Sequence, residues 1–214
     1  ARSFQANCRV RFVPLVAGLR ELELDLEGLD VLGVTDGTGH ALAYIHHDGV
    51  LKVEFPIALA SNESTEVVVE YGGRPQKGLW FAGGDPGGTP THCFTQGQPE
   101  DARWWFPCVD RPSSRATSEL KVSMPSGWSA FAAGRRTERV ELGATVTEVW
   151  RMDVAHPPYL MTLAAGAFEV VEDGWEGVPL HYAAERRYAA QLEPTFGETP
   201  AVLGFLSELC GLRY

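Results

Sequence analysis

Apolar and polar residues alternate along most of the chain with a period of two. In "ELELDLEGL" Leu22, Leu24 and Leu26 oppose Glu21, Glu23 and Asp25, the signature of a strand with one buried face. "GVLKVEFP" places Leu51, Val53 and Phe55 on one face, and "TEVVVEY" does the same with Val67, Val69 and Tyr71. "TSELKVSMP" sets Leu120, Val122 and Met124 against Glu119, Lys121 and Ser123. "TVTEVWRMDV" collects Val146, Trp150, Met152 and Val154. Between these runs lie "TDGTGH", "HHDG", "PSGW" and "EDGWEG", whose Gly, Asp and Pro are turn chemistry. Many short strands at this spacing predict a mainly β fold, a curved antiparallel double sheet of the sandwich kind.

Two segments break the pattern. Residues 71–92, "YGGRPQKGLWFAGGDPGGTPTH", are rich in Gly and Pro, and only "GLWF" can pair as a strand. Loops of that length in compact domains tend to be functional or disordered. Near the end "VPLHYAAERR" reads as one more strand, and the period then changes to helical. Thr199 can cap a helix with Pro200 at its first position. Val202, Leu203, Leu206 and Leu209 form its apolar stripe, and Gly211 is a natural stop. A helix closing an all-β chain has little of its own to pack on. It reads as the start of a second, α-rich domain, so residues 1–182 are assigned to a β-domain and 183–214 to the opening of the next. The C-terminal segment is expected to be weakly anchored for want of a partner.

The chain has 214 residues, 44% hydrophobic and 21% charged, and a formal net charge of −10. An acidic chain lacks the electrostatic footprint of a nucleic-acid or anionic-membrane binder. No apolar run approaches ~18 residues, so no membrane span is expected. The first residues, "ARSFQANCRV", hold neither an initiator Met nor an apolar leader, which suits a processed chain or a fragment. Cys8, Cys93, Cys108 and Cys210 form no C-x-x-C pair and read as buried free thiols of a reducing, cytoplasmic compartment, with a Cys93–Cys108 bridge as the alternative.

Much familiar chemistry is missing from the sequence. It contains no G-x-S-x-G, P-loop, G-x-G-x-x-G or H-E-x-x-H motif. His46 and His47 are adjacent, so on a strand they face opposite ways and cannot share a metal. His92, Cys93 and Cys108 supply only part of the set of about four ligands that zinc needs. Asn62-Glu63-Ser64 fits a glycosylation sequon, a tripeptide common by chance. Glu100 and Asp101 lie close to Arg103 and are expected to pair with it at the surface.

One stretch is unusual. "TQGQPEDARWWFPCVD" (residues 95–110) joins two free amides to two adjacent tryptophans and Phe-Pro-Cys. Within residues 93–125 the order Thr95-Gln96-Gly97-Gln98, Ala102-Arg103, Trp104-Trp105 and Phe106-Pro107-Cys108-Val109-Asp110-Arg111-Pro112 resembles the N-terminal β-domain of the zinc aminopeptidase N family, which includes leukotriene hydrolase. "YGGRPQKGLWF" is similar to the family's loop before this strand, "HPPYLMTLAAGAFEVVE" to its P-x-x-Y-L-x-x-x-x-G-x-F closing segment, and "FGETPAVLGFLSELCGLRY" to the first helix of its catalytic domain. The resemblance is weakest over the first sixty or so residues.

The resemblance implies that a strand carrying Gln96 and Gln98 lines the floor of a catalytic cleft. The Gln98 position would help hold a peptide substrate's free α-amine, and the Gln96 position would shape the pocket for its first side chain. An ammonium has three donors and needs acceptors, which the Gln Oε1 atoms supply. The tryptophans and Phe106 would pack behind that strand and hold it rigid. Most aminopeptidases of the family carry Glu where this chain has Gln98; a carboxylate would give a charge-assisted bond about twice as strong as a neutral one. The family's G-x-M-E-N motif, its H-E-x-x-H and the downstream glutamate are absent from these 214 residues. By the resemblance zinc belongs to a catalytic domain outside this chain, no cofactor is expected within it, and this chain alone would not be a peptidase. The implied partners are that catalytic domain and the peptide N-terminus. The alternative is a scaffold module from a member without the zinc site, such as a subunit of a general transcription factor complex. A sugar-binding sandwich that stacks ligands on exposed tryptophans is a third reading.

Overall fold

The structure is a computed structural model that describes residues 2–85 and 88–214. Its strands are β1 (Phe4–Phe12), β2 (Leu19–Asp25), β3 (Asp30–Asp36), β4 (Ala43–His47), β5 (Val50–Leu59), β6 (Thr65–Gly73), β7 (Leu79–Ala82), β8 (His92–Thr95), β9 (Ala116–Pro125), β10 (Ser129–Ala132), β11 (Arg135–Leu142), β12 (Thr145–His156), β13 (Leu163–Gly166), β14 (Phe168–Trp175) and β15 (Val178–Glu185). Two helices follow, α1 (Leu192–Phe196) and α2 (Thr199–Cys210). All strand pairs are antiparallel.

The mainly β, double-sheet expectation is met, in two halves. In the first, the sheet β1-β6-β3 faces β2-β5-β4. Leu24, Leu26, Leu51, Val53 and Phe55 from one sheet meet Val34, Val67, Val69 and Tyr71 from the other in a closed core. In the second half the sheet β10-β13-β8-β7 and the sheet β11-β12-β9 share a core of Leu79, Cys93, Ala130, Leu163 and Ala165 with Met124 and Val146. Phe4 and Phe106 pack against both cores. A separate hairpin, β14-β15, leads to the helices. Turn chemistry places the hairpins as the sequence implies: Asp48 and Gly49, both at positive φ, join β4 to β5. In "EDGWEG" the turn narrows to Glu176 and Gly177, because β14 runs on through Trp175.

Strand β12 departs from its predicted face. Val146 and Trp150 are buried, but Val154 is 67% exposed. The register with β9 shifts between Met152 and His156, and His156 turns inward instead. Between Val146 and Trp150 the same face carries Glu148, fully buried. Its carboxylate accepts from Trp150 Nε1 at 3.0 Å, pairs with Arg136 at 3.4 Å and also bonds Arg139. A buried charge persists only when paired and hydrogen-bonded in this way.

The C-terminal helix starts one residue earlier than its cap signal suggests. Glu198 occupies the cap position, and Thr199 instead donates its hydroxyl to the Phe196 carbonyl at 2.6 Å. Gly211 ends the helix at φ 61°, as expected. Leu192 of α1 is buried, and Phe196 stacks on Tyr182 of β15. The stripe on α2 stays open: Val202, Leu206 and Leu209 are exposed, with Phe205 beside them. Among the described residues no helix is long and apolar enough to cross a membrane.

The burial pattern yields a paired test. Leu51→Ala removes a fully buried side chain and is expected to cost about 2–5 kcal/mol. Ile57→Ala, on the same strand but 78% exposed, is expected to cost less than about 0.5 kcal/mol. Urea unfolding of the two variants measures both.

Candidate functional site

Strand β8 enters the second core edge-on and then delivers the glutamines. Burial alternates along it and beyond: Cys93 and Gly97 are buried, while Phe94, Gln96 and Gln98 are exposed. Gln96 and Gln98 therefore share one face, as a strand pattern requires, although β8 itself ends at Thr95. That corrects the expectation of a strand carrying both residues. Backbone pairing goes one residue further, with the Gln96 N–H donating to the Gly78 carbonyl at 2.9 Å. A cis peptide joins Gln98 to Pro99 and turns the chain away. Among the described residues neither glutamine side chain has a hydrogen-bond partner. Two free amides thus stand side by side on the surface.

The support beneath them is rigid. Thr95 Oγ1 accepts from the Leu163 N–H at 2.8 Å, which pins β8 to β13. Gly97 lies against Tyr159, so closely that a Cβ would sit 2.8 Å from the Tyr159 carbonyl oxygen. The Gly97 carbonyl accepts from the Asp101 N–H at 2.9 Å and closes a loop over residues 97–101. Gly78, at φ +70°, supports that loop from the other side: a Cβ there would lie 2.2 Å from the Asp101 carbonyl oxygen. Only glycine serves at such a position.

The tryptophans divide their work. Trp105 is buried at 5% exposure and meets Phe106 edge-on at 4.7 Å. Tyr71 of the first core donates its hydroxyl to the Trp105 carbonyl at 3.0 Å. Trp105 Nε1 is buried with no partner among the described residues. Trp104 is half-buried, with Lys77 Nζ 5.5 Å above its ring and its edge near Gly28. Trp105 is closed off and Trp104 is half-covered, which counts against a sugar platform on this pair. Trp105 belongs to the second core with Cys93 of β8, and Trp104 lies against Gly28, Gly78 and Lys77.

Arg103 is the charged hub, and it reaches further than the surface pairing expected of it. Its backbone N–H and its Nε both donate to Asp110 Oδ2, at 3.1 and 3.2 Å. Its Nη1 lies 3.5 Å from Asp25 Oδ1, and its Nη2 lies 3.4 Å from Glu100 Oε2. Asp101, expected to share in that pairing, contributes its backbone instead. The Asp110 N–H in turn donates to Asp25 Oδ2 at 2.8 Å, and Asp25 and Cys108 exchange both backbone hydrogen bonds. Burial opposes the charge on Arg103, but Asp25, Asp110 and Glu100 outweigh it and hold the guanidinium more firmly protonated than usual. Burial also raises the Asp110 carboxyl above its ordinary range, while the bonds from Arg103 pull it back. The sequence pattern pointed to the glutamines but not to Asp25, which lies on the polar side of "ELELDLEGL" and is brought to Arg103 by the fold.

Cys8, Cys93 and Cys108 are free thiols, half-buried or buried, and Cys210 is also free but exposed. No Cys93–Cys108 bridge forms, and the exposure of Cys210 corrects the expectation of four buried thiols. Among the described residues no three His, Cys, Asp or Glu side chains converge to hold a metal. The described residues thus offer no donor set for a zinc ion.

Residues 2–160 match the model of the Peptidase M1 N-terminal domain. The chain belongs to the M1 peptidase family. It is 25% identical over 205 residues to Aminopeptidase N of Acetobacter pasteurianus, covering 91% of this chain and 57% of that protein. It is 24% identical over 156 residues to transcription initiation factor TFIID subunit 2 of Danio rerio, covering 70% of this chain and 13% of that protein. The crystal structure of a two-domain M1 zinc metallopeptidase mutant bound to L-tryptophan superposes with a TM-score of 0.79 at 23% identity, over 97% of this chain and 49% of that one. In each case the chain spans less than two thirds of the relative's own length. The shared fold is that of the M1 N-terminal β-domain.

Two outcomes follow from the site's packing. Gly97→Ala is expected to destabilise the fold by about 1–3 kcal/mol, because the added methyl meets Tyr159 backbone that cannot swing aside; thermal unfolding reads the loss. Burial raises the Cys8 thiol from 9.0 to about 12 and raises Cys93 and Cys108 as well. A thiol with a raised pKa stabilises the fold fully below its unfolded value, and that stability drains away as pH climbs from 9.0 toward about 12. At pH 8 a thiol reagent should label Cys210 fast and the other three slowly, and Cys8→Ala should flatten the alkaline fall in stability.

Proposed function

We propose that this domain is the floor of the peptide cleft of a zinc aminopeptidase, with Gln98 accepting from the substrate's free α-ammonium and Gln96 lining the pocket for its first side chain. One observation carries the reading: two exposed amides, unpartnered among the described residues, flank a buried Gly97 in a loop held by backbone hydrogen bonds and tight packing. A native fold rarely holds idle polar groups so stiffly unless they meet something. Gln Oε1 can accept from an ammonium, and the neighbouring carboxylates keep this end of the molecule acidic, which favours a cation. These residues bind and orient; they transfer no proton and make no covalent bond. Zinc would be supplied by a catalytic domain, to which residues 183–214 are assigned as the opening. The free cysteines fit a reducing, cytoplasmic setting.

A second reading is favoured by the likeness to the TFIID subunit: the same domain as a non-catalytic scaffold. The two separate on metal and sequence in the full-length protein. An enzyme requires H-E-x-x-H downstream and bound zinc; a full-length protein with neither is the scaffold.

Within the enzyme reading, Gln98→Glu in the full-length protein replaces a neutral bond to the ammonium by a charge-assisted one. It is expected to lower KM for peptides with a free α-amine by about five- to tenfold, and to leave substrates lacking that amine unchanged. A KM unmoved for both classes would remove Gln98 from the site.

A further inference from the structure

The glutamine loop has a polar anchor of its own. Arg103 Nε donates to the Glu100 carbonyl at 3.2 Å as well as to Asp110, so one nitrogen bridges the loop to the buried carboxylate. Asp110 is 1% exposed and Asp25 belongs to β2 of the first sandwich. Arg103's own carbonyl accepts from the Glu27 N–H at 2.9 Å. Residues 97–101 are thus fastened at both ends: at Gly97 by packing on Tyr159, and at Glu100 by the guanidinium. Three carboxylates, Asp25, Glu100 and Asp110, face the one cation, so the cluster stays net negative and would not repel an ammonium above it.

We propose that Arg103 is a positioning residue for the Gln96–Gln98 floor: its fork, anchored on Asp110 and Asp25, fixes the far end of the loop and thereby the direction in which Gln98 presents its oxygen. The proposal rests on the cleft-floor reading above. It assigns Arg103 no contact with substrate. Lysine cannot replace it, because a single ammonium cannot reach the Glu100 carbonyl, Asp110 and Asp25 together in a planar fork.

Arg103→Lys is the test, since it keeps the charge and loses the fork; Asp25→Asn is the second variant, should the lysine protein fail to fold. In this chain, amide hydrogen exchange at Asp101, whose N–H closes the loop, is expected to quicken by about tenfold while the amides of Val67 and Val69 hold their rate. In the full-length enzyme KM for free-amine peptides is expected to rise about tenfold with kcat within about twofold. Exchange at Asp101 that is unchanged, or that rises equally throughout the core, overturns the proposal. So does an equal fall in kcat for substrates with and without an α-amine. If Arg103→Lys loosens the loop but neither it nor Gln98→Glu moves KM, the cleft-floor reading fails and the positioning role falls with it. If Gln98→Glu moves KM and Arg103→Lys does not, only the positioning role fails.

Discussion

The Arg103–Asp110–Asp25 cluster is the constraint on which the arrangement depends, because it is where the two sandwiches are tied. Asp110 is buried, and a buried carboxylate is tolerable only with its partners in place. Removing one member of such a pair generally costs about 3–5 kcal/mol, whereas replacing all members by apolar groups can cost nothing. The cluster is therefore better understood as a device for register than as a source of stability. It forces "WWFPC" to run between the two cores at one height only. Phe106 can then serve both, and the Tyr71 hydroxyl can reach the Trp105 carbonyl at 3.0 Å.

That register explains why free amides and aromatic bulk share one short stretch. The polar residues come first and stay on the surface, because β8 alternates and Gly97 takes the buried place between them. The aromatic residues come after the turn, where the chain dives between the sandwiches. Glu100, Asp101 and Arg103 make up the turn itself. Two environments about ten residues apart are met by one sequence, with the ion cluster as the joint.

The alternating runs made the first sandwich readable: Leu51, Val53, Val67 and Val69 are buried as their period demands. The period could not show Glu148, since a charged residue in an apolar alternation looks like an interruption until Arg136 and Arg139 arrive from the neighbouring strand. It also could not show the irregularity after Met152, which turns Val154 out and His156 in. Gln96 and Gln98 were singled out through motif order, and both are exposed. Asp25 escaped notice because its partner is 78 positions away along the chain, a separation that only the fold closes.

Helix α2 shows what the β-domain does not supply. Helix α1 is seated, with Leu192 2% exposed and Phe196 stacked on Tyr182 at 5.5 Å. The next helix meets the hairpin where Trp175 lies close to Gly204 at its middle, and Arg213 just beyond it bonds the Glu176 carbonyl. Phe205 and Leu209 remain 64% and 70% exposed on one side. An apolar stripe of this width on water is an interface by its physics. The exposed amides of Gln96 and Gln98 stand in the same condition in polar terms, without a hydrogen-bond partner among the described residues. An apolar helix face and a rigid polar floor call for different partners in kind: the helix wants packing side chains, and the floor wants a cation with donors. On the cleft-floor reading proposed above, a folded catalytic domain holding a peptide by its amine would offer both at once, so one architecture would account for two otherwise unrelated exposed features of this chain.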